Sequence, residues 1–331
     1  MRKAEELTTN NRSGDVLSAC LRAAAAAPSI HNTQPWLFRV HGRQVSGAVI
    51  EVRVDRSRRL EVLDPDGREM FVSVGAAVFN LRVALAAAGF ETAVYRTPEN
   101  DLDIAARITV GDAEAPSGAA LSLHAAIARR HTNRRPFADR RIPFGTMEEL
   151  RGAATAERAS LLDVGPDLRG AVLSLTRTAE KRMRSDPAYL RELAAWTNPS
   201  SVGRADGLPQ HVLGPRDKDA SLPLRDLGIG LGLPTAQVEF EPDPTLVLLY
   251  TPDDTRGDWV RAGKALQRIW LTATVRRLAL TPMSQLTEIA ALRDLLSDSG
   301  TRYVAQMVMR IGYPLSPALP TPRRPLPDLL V

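Results

Sequence analysis

RRHTNRRPF, residues 129–137, follows an alanine- and leucine-rich stretch, SLHAAIA, whose spacing predicts the last turns of a helix. Pro136 closes the helical option, because its ring nitrogen cannot donate and the residue before it is pushed toward extended geometry. In an extended exit Arg130, Thr132 and Arg134 alternate onto one side. Two guanidiniums and a hydroxyl converging there suit a phosphate or a carboxylate, whose oxygens match the planar arginine fork. The same charges would also be favoured at a helix C-terminus by the macrodipole and by solvation alone.

A second segment tilts the balance toward a ligand. APSIHNTQPW, residues 27–36, follows VLSACLRAAAAA, a run of strong helix formers that Ser13 or Asp15 can cap and Pro28 stops. Two prolines restrict the loop, and Ser29, Asn32 and Gln34 offer hydroxyl and amide groups suited to a heteroaromatic ring edge or a sugar. Trp36 opens a strand, LFRV, and is expected to anchor the core. His31 is expected to hydrogen-bond within the loop rather than to act as a catalytic base.

These two segments carry a resemblance. APSIHNTQPW resembles the APSxxNxQPW segment of the FMN-dependent nitroreductase family, and RRHTNRRPF resembles that family's RHSxK or RRSxRxF phosphate motif. In the family the basic motif comes first and the loop follows, on each of two identical subunits; here the order is inverted. The arrangement resembles the Acg group of actinobacterial nitroreductase-like proteins, in which two degenerate halves are fused. The resemblance implies an α+β fold of two tandem nitroreductase-like halves forming an intramolecular pseudo-dimer. A fused chain can lose the basic motif from one half and the loop from the other and still assemble one complete site. MRKAEELTTNNRSGD contains no RxSxR run, and nothing after Phe137 matches PSxxNxQPW. One flavin per chain is expected.

Carried over position by position, the resemblance places Arg130, Thr132 and Arg134 on the FMN phosphate and Ser29, Ile30 and Asn32 against the isoalloxazine. Ile30 stands where the family often has serine, so that contact is apolar. LALTPMSQL, residues 278–286, resembles the segment after the family's central helix, making Met283 and Ser284 candidates for backbone contact near flavin N5. TPRRPLPDLL, residues 321–330, resembles the closing KxRxP element, making Arg323 or Arg324 a further phosphate ligand.

Composition sets bounds. With 331 residues, 44% hydrophobic and 24% charged, the chain has room for two ordinary globular domains. Its net charge of +5 comes mostly from scattered arginines, with no basic stretch interleaved with aromatics, so no nucleic-acid partner is expected. One cysteine excludes an internal disulfide framework, and five scattered histidines outline no metal site. Cys20 is expected in a helix core; LSAC before it lacks the apolar stretch of a secretory signal. No span is read as the roughly 20 apolar residues that cross a membrane, so neither membrane association nor export is expected, and the cytoplasm is the expected location. GIGLG, residues 228–232, lacks the spacing of a dinucleotide fingerprint and is read as a flexible connection.

Hydrophobic patterning adds the elements. LFRV and AVIEVRV suggest a hairpin about HGRQ, REMFVSVGAAVFNLRVALAAAG a long central helix ended by Gly89, and ETAVYR and DIAARITV further strands. A loop, AEAPSG, follows, so the boundary is drawn to give residues 1–115 as the degenerate N-terminal half and 116–331 as the C-terminal half. There, Thr146 and Glu149 suggest a capping box, TLVLLY a buried strand, DWVRAGKALQRIWLTATVRRLAL the second central helix and YVAQMVMRIGYP the final strand. Residues 196–209, WTNPSSVGRADGLP, are too irregular for a core element; the resemblance to Acg-like proteins implies a lid over the flavin here, and the alternative is a surface loop.

The expected function is FMN-dependent electron transfer from NADH or NADPH to a small nitroaromatic or quinone-type acceptor, by a monomer. The alternatives are a flavin-sequestering protein and a flavin-free interaction protein. Because the cofactor carries the chemistry, no catalytic triad is needed and no catalytic residue is named.

Overall fold

The computed structural model describes residues 2–42, 44–95, 101–197, 203–296 and 303–331, with side chains from residue 14 onward. Chain order begins with α1 (Arg2–Ala25), β1 (Trp36–His41), β2 (Val49–Val54), α2 (Arg68–Ala87), β3 (Phe90–Tyr95) and β4 (Ile104–Ala113). All four strands form one antiparallel sheet in the order β1-β2-β4-β3. After α3 (Gly118–Ile127) and α4 (Phe144–Thr155) come β5 (Ser160–Asp163), α5 (Pro166–Arg184) and α6 (Pro187–Trp196). A two-residue parallel pairing joins β6 (Arg216–Asp217) to β7 (Gln237–Val238). The remaining elements are β8 (Thr245–Thr251), α7 (Arg256–Val275), β9 (Ala279–Pro282), α8 (Gln285–Glu288), α9 (Ala290–Arg293) and β10 (Val304–Gly312). Their sheet runs β5-β8-β10-β9, also antiparallel. Helices and antiparallel sheets are thus mixed as an α+β fold requires.

Each sheet places a 20-residue helix between its second and third strands in chain order, and these helices pack against each other. α2 is apolar nearly all round because it is buried nearly all round. Its start is capped from outside the helix: the Asp64 carboxylate accepts the amides of Glu69 at 3.0 Å and Met70 at 2.8 Å. α7 starts on a capping box between Thr255 and Asp258. The two helices cross at Gly75 and Gly263, each the eighth residue of its helix. A Cβ on Gly75 would lie 2.3 Å from the Val260 carbonyl oxygen, and one on Gly263 only 1.9 Å from that of Val72. Nearby, Gln267 Nε2 donates to Asn80 Oδ1 at 2.7 Å, satisfying two polar groups inside the contact.

Several local expectations are corrected. α1 continues through residues 13–15, so neither Ser13 nor Asp15 caps it. α4 begins after Pro143, leaving Thr146 inside its first turn without a capping role, and Glu149 instead pairs with Arg276 at 2.6 and 2.7 Å. The last residues assigned to the second central helix turn at Arg277, which has φ +61°, and enter β9. GIGLG is a tight turn against α6: a Cβ on Gly230 would meet the Leu190 carbonyl oxygen at 2.7 Å. α2 is long and apolar enough to cross a membrane, with 83% of the span buried inside the fold. Its apolarity is explained by the core it fills.

Candidate functional site

The loop after α1 is a strained, heavily bonded structure. His31, Asn32 and Gln34 all have positive φ, at 46°, 55° and 50°, a region that side chains other than glycine's disfavour. Neighbours hold it there. Ser29 Oγ accepts the Gln34 amide at 2.9 Å, and the Ile30 amide donates to Ser73 Oγ on α2 at 3.2 Å. Asn32 Nδ2 donates to the carbonyls of Gly207 at 2.9 Å and Pro322 at 3.1 Å, while Gln34 Nε2 donates to that of Ala205 at 2.8 Å. Trp36 is fully buried in the core beneath, as its strand-opening position suggested.

The basic segment arrives from the other sheet. Thr132 bridges to Leu280 of β9 in parallel, and Phe137 bridges to Pro314 beyond β10. Arg310 of β10 anchors this exit: its guanidinium is fully buried, lies 3.7 Å from the Phe137 ring centroid and pairs with Glu241. Glu241 also accepts the Phe137 amide at 2.9 Å.

Loop and basic segment meet at two adjoining cavities. The larger is walled by Ile30, Val72, Leu266 and Trp270, with Ser284, Arg134 and Arg225 among its polar groups. The smaller gathers Asn32, Arg130, Thr132, Arg134 and Arg323. Pro28, Ser29, Thr132, Arg134 and Leu208 border both, so the pair forms one continuous site with a broad, largely apolar end and a narrow cationic end.

The cationic end is electrostatically incomplete. Arg130 stacks over the Trp270 ring at 4.6 Å and donates to the Ala26 carbonyl. Arg134 donates to Val212 O, and Arg323 to Asn32 Oδ1 and the carbonyls of Ala26 and Ala27. Among the described residues no carboxylate pairs with any of the three. Burial pulls Arg130 down to about 9, with Arg323 adding repulsion, and burial draws Arg134 and Arg323 each to about 10. Burial and the repulsion of Arg130 and Arg323 hold His131 at about 4. Buried cations without a counter-charge are costly, so an anion drawn into this end would stabilise the fold as well as bind.

The broad end contains residues the sequence did not single out. Arg225 bonds Tyr189 at 3.1 Å and pairs with Glu288; burial alone would lower its pKa, but Glu288, Tyr189 and Glu180 raise it above the ordinary arginine value. Glu69 pairs with Arg68 and lines the cavity. Neither lies in a recognisable motif; both were hidden in segments whose only visible signal was helix or loop. His31 also lines this end and departs from the expected hydrogen-bonded loop role: it is 6% exposed and neither ring nitrogen has a partner among the described residues. Burial first, then Arg225 and Arg134, hold its pKa well below the ordinary value, so the ring is neutral.

Of the ten residues singled out from the sequence, Ser29, Ile30, Arg130, Thr132, Arg134, Ser284 and Arg323 line the site. Asn32 does so only at the cationic end, with its amide engaged by protein, and therefore does not face the broad cavity. Met283 does not border either cavity: it is buried in the core and its amide donates to Val308 O at 2.8 Å, so that amide is not free for a ligand. Of the two tail arginines, Arg323 faces the site. Arg324 braces the loop through the Gln34 carbonyl and Asp55. Within the lid segment, residues 198–202 lie outside the described residues. Its remainder is fastened to the loop by the Gly207 and Ala205 contacts, and Asp206 pairs with Arg58, which in turn donates to the Thr33 carbonyl.

Comparison with known proteins agrees with this geometry. The Nitroreductase family model matches residues 127–313, which include the basic segment, α7, β9 and β10. The Mycobacterium tuberculosis protein "Putative NAD(P)H nitroreductase Rv3131" is 33% identical over an alignment covering 98% of this chain and 93% of that protein. "Putative NAD(P)H nitroreductase acg" of the same organism is 30% identical, covering 95% of each. A solved structure of a "putative nitroreductase" from Anabaena variabilis superimposes with a TM-score of 0.52 at 12% identity, covering 92% of this chain and 89% of that one, a likeness of fold. The chain belongs to the nitroreductase family and is similar along nearly its whole length to that family's Acg-like proteins.

Proposed function

We propose that this protein binds one FMN per chain and passes electrons from NADH or NADPH to a small, flat acceptor of nitroaromatic or quinone type. The observation that carries the reading is the set of three buried arginines that have no carboxylate partner among the described residues, at the narrow end of a cavity whose broad end is mostly apolar. An FMN phosphate supplies the missing charge, and a planar ring matches the broad end. Arg130, Arg134 and Arg323 would hold the phosphate with Thr132, while Ser29, Ile30 and Ser284 would border the ring. When bound, FMN supplies the hydride and electron-transfer chemistry. The protein orients ring and acceptor, excludes water with apolar walls and fixes charge around them. The names of the Mycobacterium tuberculosis relatives agree with a nicotinamide donor.

The same reading treats residues 1–115 and 116–331 as two fused halves of a pseudo-dimer. Support comes from the shared strand order, the helix inserted at the same place in each sheet and the paired glycines at the crossing. The PSIHN loop would come from the first half and the phosphate arginines from the second. A pseudo-dimer already covers the surface through which separate subunits would associate, so the protein is assigned as a monomer, and the cytoplasm, with its nicotinamide pool, as its setting.

A specific observation favours a second reading, flavin sequestration. Leu208 borders both cavities and its segment is bonded to the loop through Asn32 and Gln34, as a closed lid would be. The test is anaerobic: the FMN-reconstituted protein is mixed with NADH or NADPH and its visible absorbance followed. Bleaching by either donor supports turnover. Bleaching by dithionite alone supports sequestration, and absence of flavin absorbance after reconstitution sinks both.

A further inference from the structure

Among the described residues four titratable side chains line the broad cavity: His31, Glu69, Arg134 and Arg225. Their chemistry sorts them. The two arginines keep their protons, and His31 faces both of them and stays neutral, so it holds no acidic proton to give. Glu69 is left. It is 3% exposed and sits in the first turn of α2, beside the apolar wall formed by Val72 and Ala76.

The surroundings of Glu69 contain more buried acid than base. Asp64 lies beneath it, bonded to the first amides of α2; Glu288 of α8 and Arg225 of the 222–228 segment face it from the other side. Arg68 pairs with Glu69 directly but also donates to the Gln306 carbonyl at 2.8 Å and to Gln306 Oε1 at 3.0 Å. Arg225 is shared between Glu288 and Tyr189, with Glu180 close by. Arg184 faces Glu180, and Arg293, which also faces Glu69, is paired with Asp254 at 2.6 Å. Asp64, Glu69 and Glu288 are thus left with Arg68 and Arg225 between them, and Glu288 Oε1 has no hydrogen-bond partner among the described residues. Such a cluster relieves its excess negative charge by retaining a proton.

We infer that Glu69 is a catalytic acid, holding a proton at the wall of the broad cavity and delivering it to an oxygen of a quinone-class acceptor during two-electron reduction. This rests on the proposed flavin reading. A hydride equivalent, carrying two electrons and one proton, passes from the reduced cofactor to the quinone. The Glu69 carboxyl O–H bond breaks as a new O–H bond forms on the acceptor, completing the hydroquinone. The quinone is reduced, the cofactor is oxidised, and the carboxylate regains its proton from water before the nicotinamide donor reduces the cofactor again. Burial raises the Glu69 pKa to about 7 against the pull of Arg68, with Glu288 and Asp64 adding to the rise. A proton held at that value is both present and transferable at neutral pH.

The test uses the full chain in two measurements. Infrared difference spectra between about pH 5 and pH 8 should show a protonated carboxyl C=O band that titrates near 7, shifts on ¹³C-glutamate labelling and loses one component in Glu69→Gln. Stopped-flow reoxidation of the reduced, FMN-loaded protein should separate two oxidants. With benzoquinone the wild-type rate falls as pH rises through about 7, and Glu69→Gln is about 100-fold slower with a flat profile. With ferricyanide, which takes electrons without a proton, the two proteins should agree. A missing infrared band, an unchanged benzoquinone rate, or equal slowing with both oxidants overturns the assignment. If FMN does not bind, the flavin reading fails by itself, and the infrared comparison of flavin-free wild type with flavin-free Glu69→Gln still decides whether Glu69 holds its proton.

Discussion

Arg323 and Arg324 are chain neighbours with identical side chains and divergent surroundings. Arg323 turns into the cationic end with no carboxylate, whereas Arg324 is tied to Asp55 and the Gln34 carbonyl. Arg323→Ala should therefore weaken FMN binding more than Arg324→Ala, whereas the latter should lower thermal stability; flavin fluorescence titration alongside thermal melts would separate them, and equal affinities would refute the assignment. Arg130→Ala combined with Arg134→Ala should cost at least about 100-fold in FMN affinity, since each charged hydrogen bond contributes about 1.5 to 3 kcal/mol. An affinity unchanged by both substitutions would remove the phosphate reading. The alternation that put Arg130, Thr132 and Arg134 on one side was legible in sequence because it is a local consequence of extended backbone. Arg225 and Glu69 were not legible, because their roles arise only where α2, α6 and α8 converge. Asp64 adds a pH signature: burial raises it to about 6, as burial raises Glu69 to about 7. A raised carboxyl pKa stabilises the fold below the unfolded values of 3.8 and 4.5 and loses that contribution as pH rises through the folded values. Over about pH 4 to 7 these two acids should thus lower the unfolding free energy of flavin-free protein, each tenfold gain in proton affinity on folding being worth about 1.4 kcal/mol, while His131 and His31, whose pKa values burial holds down, raise it over the same window. The contribution of Glu69 is therefore read as a difference: relative to Glu69→Gln, the wild type should lose stability as pH rises toward about 7. A difference that stays flat or grows across that window would contradict the placement of Glu69.

At the scale of elements, long helices and strands were readable because their apolar periodicity extends over many residues. Their ends were less so. Thr146 and Glu149 have the spacing of a capping box, yet Pro143 already sets the start of α4, and Glu149 has a stronger partner in Arg276 from a distant helix. GIGLG likewise offered flexibility in sequence but serves close approach to α6. Gly75 and Gly263 were unremarkable letters within two helices, since only the crossing of α2 and α7 reveals that each backbone occupies the other's Cβ position. Gly263→Ala should destabilise by about 1 to 3 kcal/mol or more through overpacking, although alanine is the better helix former by about 1 kcal/mol. Chemical denaturation of that variant beside Gly257→Ala, whose Cβ meets nothing closer than 3.6 Å, gives the comparison. Equal stability of the two variants would mean the helices are farther apart than their carbonyls indicate.

For the whole molecule, the loop and the basic segment lie about a hundred residues apart in sequence, and they border the same cavities because the loop leads into β1 of one sheet while the basic segment bridges to β9 of the other. The C-terminal tail ties those sheets as well. After β10 it passes the cationic end at Arg323, buries Leu329 completely and runs beside β1, where the Val331 amide donates to the Phe38 carbonyl at 3.0 Å. TPRRPLPDLL suggested only a phosphate ligand, because nothing local in those ten residues states that the other sheet's edge strand will receive them. The tail therefore has two separable tasks. Removing residues 326–331 deletes the Leu329 side chain, Val331 and the Asp328 carbonyl that Arg324 uses, while leaving Arg323 and its bonds to Asn32 and Ala26 in the chain. Loss of one fully buried leucine costs about 2 to 5 kcal/mol, so the truncated protein should melt at lower temperature. Because Arg323 and its bonds to Asn32 and Ala26 stay in the truncated chain, FMN affinity should be nearly unchanged, and at equal saturation FMN should stabilise the truncated and intact forms by the same free energy. A truncated form that binds FMN markedly more weakly than the intact chain would show that the tail's hold on the β1 edge is coupled to the site.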